Sequence, residues 1–329
     1  MRIVSDIMGQ LRSFFGWGGL QSIIGSGDYA RLLTWDGLLA MVGPLIPLTL
    51  LLEFARGVLY RRFEVVSYKV PFLTYVFNAV AGRFLSIGMV GICIGFFEPH
   101  RLFLLPFNAW GLLAGYVVWE LGHYLYHWLG HKVRLFWCLH STHHAPESMH
   151  LMVSHAHFFL EAPYADLIRT TVCILLGVPP PMLAVIMFID GTWGSFIHIG
   201  DTMLRKADLG RLGRYILTPS HHRVHHARNP RYIDTNYGNL LNIWDRTFGT
   251  YQPERADEKP DYGITRRMRK DSFLDAYFGE FVELARDVIA APGLWNKLRY
   301  LFMPPGWSHK GEHRTAAVLK RGLANQSSG

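Results

Sequence analysis

The stretch Thr170-Thr-Val-Cys-Ile-Leu-Leu-Gly-Val-Pro-Pro-Pro-Met-Leu-Ala-Val-Ile-Met-Phe-Ile189 runs for 20 residues without a charged side chain. A segment of this length is long enough to cross the hydrocarbon core of a bilayer. Its three central prolines stop a helix, because proline lacks the backbone N–H and its ring clashes with the preceding turn. We therefore expect a hairpin of two apolar helices, about Pro163–Val178 and Met182–Ile199, that turns at the far side of a membrane and returns.

Three more apolar segments precede the hairpin, at Gly37–Tyr60, Val70–Phe97 and Leu102–Trp119. Arg83 interrupts the second, which leaves open whether it forms one tilted helix or a broken one. Half of all residues are hydrophobic and only 18% are charged, which is unusually apolar for a soluble enzyme. The sequence predicts an all-α fold, a multi-pass membrane bundle of about four to five apolar helices that includes the hairpin.

Basic residues concentrate after residue 200, where 21 Lys and Arg stand against 14 Asp and Glu. Such an excess is typical of the cytosolic side of a membrane protein, so we expect no nucleic-acid partner.

We expect the chain to have three parts. These are an N-terminal segment 1–32, interfacial and with an amphipathic helix at Ile3–Phe15, a membrane domain 33–251, and a cytosolic extension 252–329 with amphipathic helices, one near Asp271–Ile289.

Thirteen of the 17 histidines fall in two short stretches. The first runs from Glu120-Leu-Gly-His123 to His157, and the second is Ser220-His221-His222-Arg-Val-His225-His226. Both contain HxxHH, and the first also contains HxxxH; on a helix these spacings place imidazoles on one face. Imidazole is the commonest metal ligand in proteins, and these histidines are too many for one ion and about right for two. The helix before the first stretch and the returning hairpin would bring them together on the cytosolic face, as a histidine-rich helical cap.

Metal binding explains these clusters better than ordinary packing. Each buried imidazole without a partner would cost about 1–3 kcal/mol, and charging them together would cause repulsion. The predicted metal ligands are His127, His131, His140, His143, His144, His198, His222, His225 and His226. Carboxylates near such clusters often hold the second ring nitrogen of a ligand; the candidates for this supporting shell are His123, Glu120, His157, Glu161, His221 and Asp245. His150 and His155 stay open, and we expect no metal at the isolated His100, His309 and His313.

The three histidine motifs, set after a predicted span and separated by an apolar hairpin, resemble the fatty acid hydroxylase/sterol desaturase superfamily of membrane di-iron oxygenases. The similarity runs from about Glu120 to Tyr251 and is densest over Thr218–Tyr251. This part and the tail Ala291–Trp307 are most similar to the branch that holds alkylglycerol monooxygenase and bacterial sterol desaturase-like proteins, including ornithine-lipid hydroxylases.

The resemblance implies an O2-dependent monooxygenase with two iron ions, which zinc can replace in purified protein. It implies a membrane-lipid substrate, hydroxylated at an acyl chain, an ether carbon or the head group. Electrons would come from an external donor (reductase, ferredoxin, cytochrome b5 or pterin), since the sequence has no haem motif, iron–sulfur cysteines or GxGxxG turn. We expect a multi-pass protein with a cytosol-facing site, in a bacterial inner membrane or, in a eukaryote, the endoplasmic reticulum.

The chain departs from the family pattern near the metal motifs. Many members have Asn and then Arg-x-His-x-x-Glu after the second motif; here His150 and Ala156 replace the Asn and the Arg, the histidine is displaced to His157, and Glu161 is kept. Before the first motif, Glu120-Leu-Gly-His123-Tyr stands where members often have Asp-x-x-Tyr-Tyr. These changes affect residues around the expected site and leave the specific substrate open.

Three alternatives remain from the sequence. The same site could run desaturation of a lipid or sterol instead of hydroxylation. A metal transporter or storage protein would need polar residues along several spans, whereas these spans are mostly apolar and the histidines sit at one face. A non-catalytic scaffold is disfavoured because the histidine motifs are intact.

Overall fold

The computed structural model describes residues 17–27, 45–60, 65–201 and 203–326. The chain divides into two compact units, Met1–Phe63 and Glu64–Gly329. The described part of the first unit contains helices α1 (Trp17–Ser26) and α2 (Leu45–Leu59). The helix predicted at Ile3–Phe15 lies outside the described residues, as does the start of the predicted Gly37–Tyr60 segment.

The second unit contains the histidine motifs. In chain order its helices are α3 (Val65–Phe97), α4 (Ala109–Lys132), α5 (Arg134–His144), α6 (Glu161–Leu175), α7 (Pro180–Ile197), α8 (Pro219–His225), α9 (Ile243–Thr247), α10 (Phe273–Ala290), α11 (Gly293–Phe302) and α12 (Ala316–Gln326). The described residues include isolated β-bridges but no β-strand. The expected all-helical fold class is thereby confirmed for the described chain.

The segment interrupted by Arg83 forms one unbroken helix, α3. It is continuous over 33 residues, with Pro71 inside its second turn. A helix of that length extends about 50 Å, well beyond the roughly 30 Å of a bilayer core. It packs mainly along α6, which in turn packs along α4.

Helix α4 begins at Ala109 and not at Leu102, so the predicted start of this span was wrong. Asn108 caps the helix, since its side-chain oxygen accepts the N–H of Gly111 at 2.9 Å. The residues before Asn108 do not continue the helix. They contact the end of α6, where the N–H of Leu102 donates to the carbonyl of Leu175 at 2.9 Å. The helix then continues to Lys132, so one rigid element carries Glu120 and the HxxxH motif.

The proline-centred hairpin is present as α6 and α7, with bounds within three residues of those predicted. Gly177 makes the turn at a φ of +78°, where an added Cβ would lie 2.4 Å from the carbonyl oxygen of Phe103. The prolines also start the second helix, since Pro180 and Pro181 occupy its first turn, where the missing N–H groups have no partner to lose.

Among the described residues, Pro180–Ile197 is the one helix that is both long and apolar enough to cross a membrane. Leu85–His100, the end of α3 with the short turn after it, is a shorter apolar helical stretch. Within the described part of the chain, length and composition therefore identify fewer spans than the four to five that the whole sequence predicts.

The C-terminal helices cover the outer face of α5. Helix α10 confirms the amphipathic helix expected near Asp271–Ile289, whereas α11 was not anticipated within the tail. Together they bury a cluster with Cys138 of α5 at its centre, formed with Leu284, Ala291, Tyr300 and Trp307. The extension thus braces the helix that carries one HxxHH motif.

Candidate metal centre

The second HxxHH motif lies on a short, firmly capped helix. Thr218 caps α8, and His221 completes the cap, since its Nδ1 lies 2.8 Å from the Thr218 hydroxyl and accepts the Thr218 N–H at 3.3 Å. The Nε2 of His221 lies 2.8 Å from the hydroxyl of Tyr251. His221 therefore fixes the start of α8 and makes no contact of the supporting kind that we expected.

Nine buried histidines converge in two groups. Within each group, the candidate ligand atoms all lie within 4.8 Å of one another. The five-histidine cluster comprises His127, His131, His140, His144 and His225. The four-histidine cluster comprises His143, His198, His222 and His226. These are the nine histidines predicted from the sequence as metal ligands. Their binding of metal stays a prediction.

The two HxxHH motifs divide between the clusters in opposite ways. On α5, His140 and His144 are one turn apart and enter the five-histidine cluster, whereas His143, about 100° from His144 around the helix, enters the other. On α8 the pair one turn apart, His222 and His226, enters the four-histidine cluster, and His225 crosses to the first. Each helix therefore serves both clusters.

Backbone carbonyls set the orientation of three of these rings. The Nδ1 atoms of His127, His198 and His225 lie 2.8, 2.6 and 2.8 Å from the carbonyl oxygens of Tyr237, Gly194 and Thr235. A carbonyl oxygen can only accept, so each Nδ1 carries the proton. The Nε2 lone pair of each ring then points into its cluster.

Carboxylates hold two further rings. His140 Nδ1 donates to Glu161 Oε1 at 2.5 Å, and His131 Nδ1 lies 3.3 Å from Asp234 Oδ1. Asp234 also pairs with Lys132. An ionised carboxylate accepts hydrogen bonds, so these rings too present Nε2 lone pairs to the cluster.

This arrangement fits a metal ion. The Nε2 atoms of His127 and His140 lie 3.0 Å apart, and with both protons on Nδ1 neither can donate to the other. The Nε2 atoms of His131 and His225 have no hydrogen-bond partner among the described residues. Converging lone pairs repel one another unless a cation lies between them, and neutral imidazole is the form that binds metal.

The electrostatics of the clusters also favour neutral rings. Burial lowers the pKa of His143, His222 and His226 well below the ordinary value of 6.5, and neighbouring imidazoles lower the pKa further. These histidines can therefore serve as metal ligands without first losing a proton at neutral pH.

The expected supporting residues differ in what they contact. Glu161 holds His140 with one oxygen and accepts from His157 Nδ1 at 2.9 Å with the other. The ring of His157 stacks on His143 with centroids 4.2 Å apart. Asp245 acts indirectly, since it accepts the N–H groups of Tyr237 and Gly238 at 2.7 and 2.8 Å and so positions the loop whose carbonyl holds His127.

Glu120 and His123 lie elsewhere in the arrangement. Glu120 accepts three backbone N–H groups, from Asn239, Leu240 and Leu241, so it anchors a loop and not an imidazole. The ring of His123 lies 5.6 Å from that of His127, and its Nδ1 has no hydrogen-bond partner among the described residues.

The remaining histidines lie outside both clusters. His150 stacks on Tyr68 at 3.9 Å and contacts the Ser67 carbonyl, and His155 packs against Tyr75, so both fasten their segment to α3. His309 contacts the Tyr300 hydroxyl, His313 accepts the Ser308 N–H, and His100 contacts the Phe96 carbonyl.

Sequence reasoning missed Asp234 and the three carbonyls. Asp234 lies within the segment of densest family similarity, and this position is the signal in the sequence that could have been used. The structure adds a φ of +58°, which is unusual for a residue with a side chain. The carbonyls of Tyr237, Thr235 and Gly194 carry none, because every residue has a backbone carbonyl.

A cavity of about 250 Å³ opens onto both clusters. Five ligand candidates reach it, namely His127, His140, His143, His198 and His222. Its other walls come from α4, α6, α7, the segment with Ser154 and His157, and the loop at Asn239. A molecule in this cavity would touch both clusters at once.

Comparison with known proteins identifies the domain. Residues 112–250 match the fatty acid hydroxylase family. Alkylglycerol monooxygenase of Homo sapiens is 33% identical over 211 residues, 64% of this chain and 46% of the relative. That of Xenopus tropicalis is 34% identical over 209 residues, 63% of this chain and 45% of the relative. Ornithine lipid hydroxylase OlsE of Rhizobium tropici is 28% identical over 162 residues, 49% and 48% of the two chains.

The matched part covers about half the length of these relatives. No solved structure matches the chain significantly. The resemblance inferred from the histidine motifs is confirmed, and the matched segment includes all nine clustered histidines. Residues 112–250 of this chain are therefore the part that matches the fatty acid hydroxylase family.

Proposed function

We propose that this protein is a membrane-bound di-iron oxygenase that uses O2 and external electrons to hydroxylate a membrane lipid. The observation that carries the proposal is the pair of buried histidine clusters with inward-facing nitrogens beside one shared cavity. Bound iron would supply the activation of O2, which protein acids and bases alone cannot provide for an unactivated C–H bond.

The protein's own residues would orient the ligands. One ion would be held by the five-histidine cluster and the other by the four-histidine cluster. Glu161, Asp234 and the carbonyl of Tyr237 keep the proton on the outer nitrogen of their imidazoles, which fixes the tautomer that binds metal. The stacking of His157 on His143 extends this support to the second cluster.

The lining of the cavity narrows the choice of reacting carbon. Apart from Tyr126, its non-polar residues are small, namely Ala162, Ala165, Gly191, Gly194 and Gly238; the others are polar or charged. The middle of an acyl chain would be expected to bind against large aliphatic side chains. We therefore favour an ether-linked carbon or a head group over the acyl chain, in line with the names of the alkylglycerol and ornithine-lipid relatives.

Exposed side chains support a lipid environment. Helix α3 exposes large apolar residues along its length, including Phe72, Ile87, Ile92 and Phe96. Apolar surface of this extent is typical of a membrane or partner contact. We propose a multi-pass protein whose clusters face the cytosol and receive electrons from a separate donor, in a bacterial inner membrane or, in a eukaryote, the endoplasmic reticulum.

Two measurements test the proposal. Protein purified from iron-replete cells should contain about two iron ions per chain, with zinc as a replacement. Lipidomics of cells with and without the gene should show a lipid that gains one oxygen atom, labelled from 18O2. Loss of two hydrogens would indicate desaturation instead, and a chain that binds no metal would overturn the oxygenase assignment.

A further inference from the structure

One wall of the cavity contains a polar group of residues that belong to neither histidine cluster. Arg169 comes from α6, Asp190 from α7 and His123 from α4, and all three line the cavity. The side chains of Asp190 and His123 are only 7% and 10% exposed. Ionisable residues in apolar hairpins are costly, and where they occur they usually serve a site.

Part of this group is satisfied within the protein. Asp190 Oδ1 accepts from the side-chain amide of Asn239 at 2.6 Å. Arg169 Nη2 donates to Asp166 Oδ1 at 2.7 Å. The guanidinium of Arg169 also lies over the ring of Trp119, 4.8 Å from its centroid. These contacts fix the directions in which the remaining polar atoms point.

The other atoms of the group face each other across a gap. Asp190 Oδ2 lies 3.7 Å from Arg169 Nη1 and 3.9 Å from His123 Nδ1. Both distances are too long for direct hydrogen bonds. His123 Nδ1 has no hydrogen-bond partner among the described residues. An acceptor and two nitrogens are thus separated by a gap that one oxygen atom could bridge.

We propose that Arg169, Asp190 and His123 form a subsite that binds an uncharged hydroxyl group of the substrate. A hydroxyl both donates and accepts, so it can donate to Asp190 Oδ2 while it accepts from Arg169 Nη1. The subsite rests on the proposed function, because it would hold the polar end of a lipid beside the clusters and present a neighbouring carbon to them.

Other chemical groups fit the gap less well. A phosphate would be repelled by Asp190 and by Glu161, which lies in the same cavity wall. An ammonium group would be repelled by Arg169. An alkyl group would leave the buried polar atoms unpaired, which is the situation that lets polar sites reject analogues lacking a hydroxyl.

A matched pair of probes tests the subsite by equilibrium binding to the purified full-length chain in lipid nanodiscs. One is 1-O-hexadecylglycerol, with two free hydroxyls, and the other is its dimethyl ether. We expect the wild-type chain to bind the diol at least about tenfold more tightly. Equal affinities would overturn the subsite, and they are also the result expected if only water fills the gap.

Two variants localise the effect. Asp190→Asn should bring the affinity ratio of the two probes close to one, and His123→Gln should lower it severalfold with a smaller risk to folding. Thr192→Ala is the matched control, because Thr192 lies two residues along α7, bonds to the Phe188 carbonyl and does not line the cavity. Its ratio should equal that of the wild type. A ratio unchanged in both subsite variants would contradict the proposal.

Metal content separates this proposal from the oxygenase proposal. Two irons and lipid hydroxylation without any preference for the diol would refute the subsite alone. A clear preference for the diol in a chain that binds no metal would leave the subsite standing and refute the oxygenase.

Discussion

At the scale of single residues, a hydrogen bond from Nδ1 of a clustered histidine to a carbonyl or carboxylate leaves the lone pair of its Nε2 facing the cluster. Glu161 is linked to both clusters. Its carboxylate accepts from His140 of the five-histidine cluster and from His157, whose ring stacks on His143 of the four-histidine cluster. Its side chain is buried, with 3% exposure, so water cannot replace the lost acceptor. The supporting residues should therefore matter for metal affinity as well as for chemistry.

The first prediction concerns Glu161→Gln. The amide keeps the shape, but its NH2 group donates, so only its oxygen can accept from an imidazole. Metal affinity should therefore fall about 10- to 100-fold. Titration against a chelator measures it. Glu283→Gln, at an exposed i,i+3 pair with Arg286, is the control and should bind metal as the wild type does. Undiminished affinity in Glu161→Gln would show that the carboxylate does not support the metal.

The second prediction concerns the ligands themselves. His222→Ala should lower the metal content and abolish hydroxylation while the chain still inserts into the membrane, since the four-histidine cluster loses one of its few nitrogens. His313→Ala, which changes an exposed contact, should keep both. Elemental analysis measures the metal content of both variants, and an activity assay measures their hydroxylation. Full metal loading of His222→Ala would refute the ligand assignment.

At the scale of helices, close approach between α4 and α6 brings the clusters and the cavity wall together. Gly122 is the contact point, because a Cβ there would lie 2.9 Å from the Cα of Arg169. The same helix carries His127 little more than one turn later. The spacing of these two helices thus sets the distance between the clustered histidines and the polar gap.

The third prediction follows from that contact. Gly122→Ala should destabilise the protein by about 1–3 kcal/mol, because the backbones must separate. Gly91→Ala on α3, where nothing lies within 4 Å, should be neutral or stabilise by up to about 1 kcal/mol through helix propensity. Thermal unfolding in detergent compares the two, and equal midpoints would argue against tight packing at Gly122.

The fourth prediction concerns the C-terminal helices that brace α5. Trp307 is 9% exposed and packs on Tyr300, whereas Trp295 of α11 is 70% exposed. Trp307→Ala should cost about 3–5 kcal/mol of unfolding free energy, and Trp295→Ala should stay within about 0.5 kcal/mol. Similar losses in both variants would mean that Trp295 is covered in the membrane-bound protein.

At the scale of the whole molecule, the hairpin of α6 and α7 decides where the four-histidine cluster can form. His198 follows directly after α7, and His143 lies in the last turn of α5, before the hairpin. Their Nε2 atoms meet at 3.2 Å. The chain must therefore leave the clusters and return to them within the hairpin, which is consistent with an excursion into a bilayer.

The fifth prediction is the topology that this requires. Single cysteines placed at Pro146 and Lys310 should react with a membrane-impermeant thiol reagent from the same, cytosolic side. A cysteine at Pro180 should react only from the opposite side. The native cysteines described are buried and should stay silent. Labelling of Pro146 and Lys310 from opposite faces would contradict a single cytosolic site.

The sequence by itself determined the features that depend on local chemistry. Helical spacing selected eight of the nine histidines, and His198 was selected from its place at the end of the returning helix. The uncharged run with its central prolines predicted the hairpin to within three residues. These signals lie within short stretches of chain. Glu161 could also be named from its place near the second motif. The start of α4 was misplaced because apolar composition marks a segment but does not show where its helix is capped.

Only the tertiary structure decided how these pieces are used. It divided the histidines into groups of five and four, and it turned Glu120 and His221 from supporting candidates into a loop anchor and a helix cap. It also brought Asp190 opposite Arg169 and His123. Each of these outcomes depends on contacts between residues far apart in the chain, or on backbone carbonyls that every residue shares, so no local pattern encodes them.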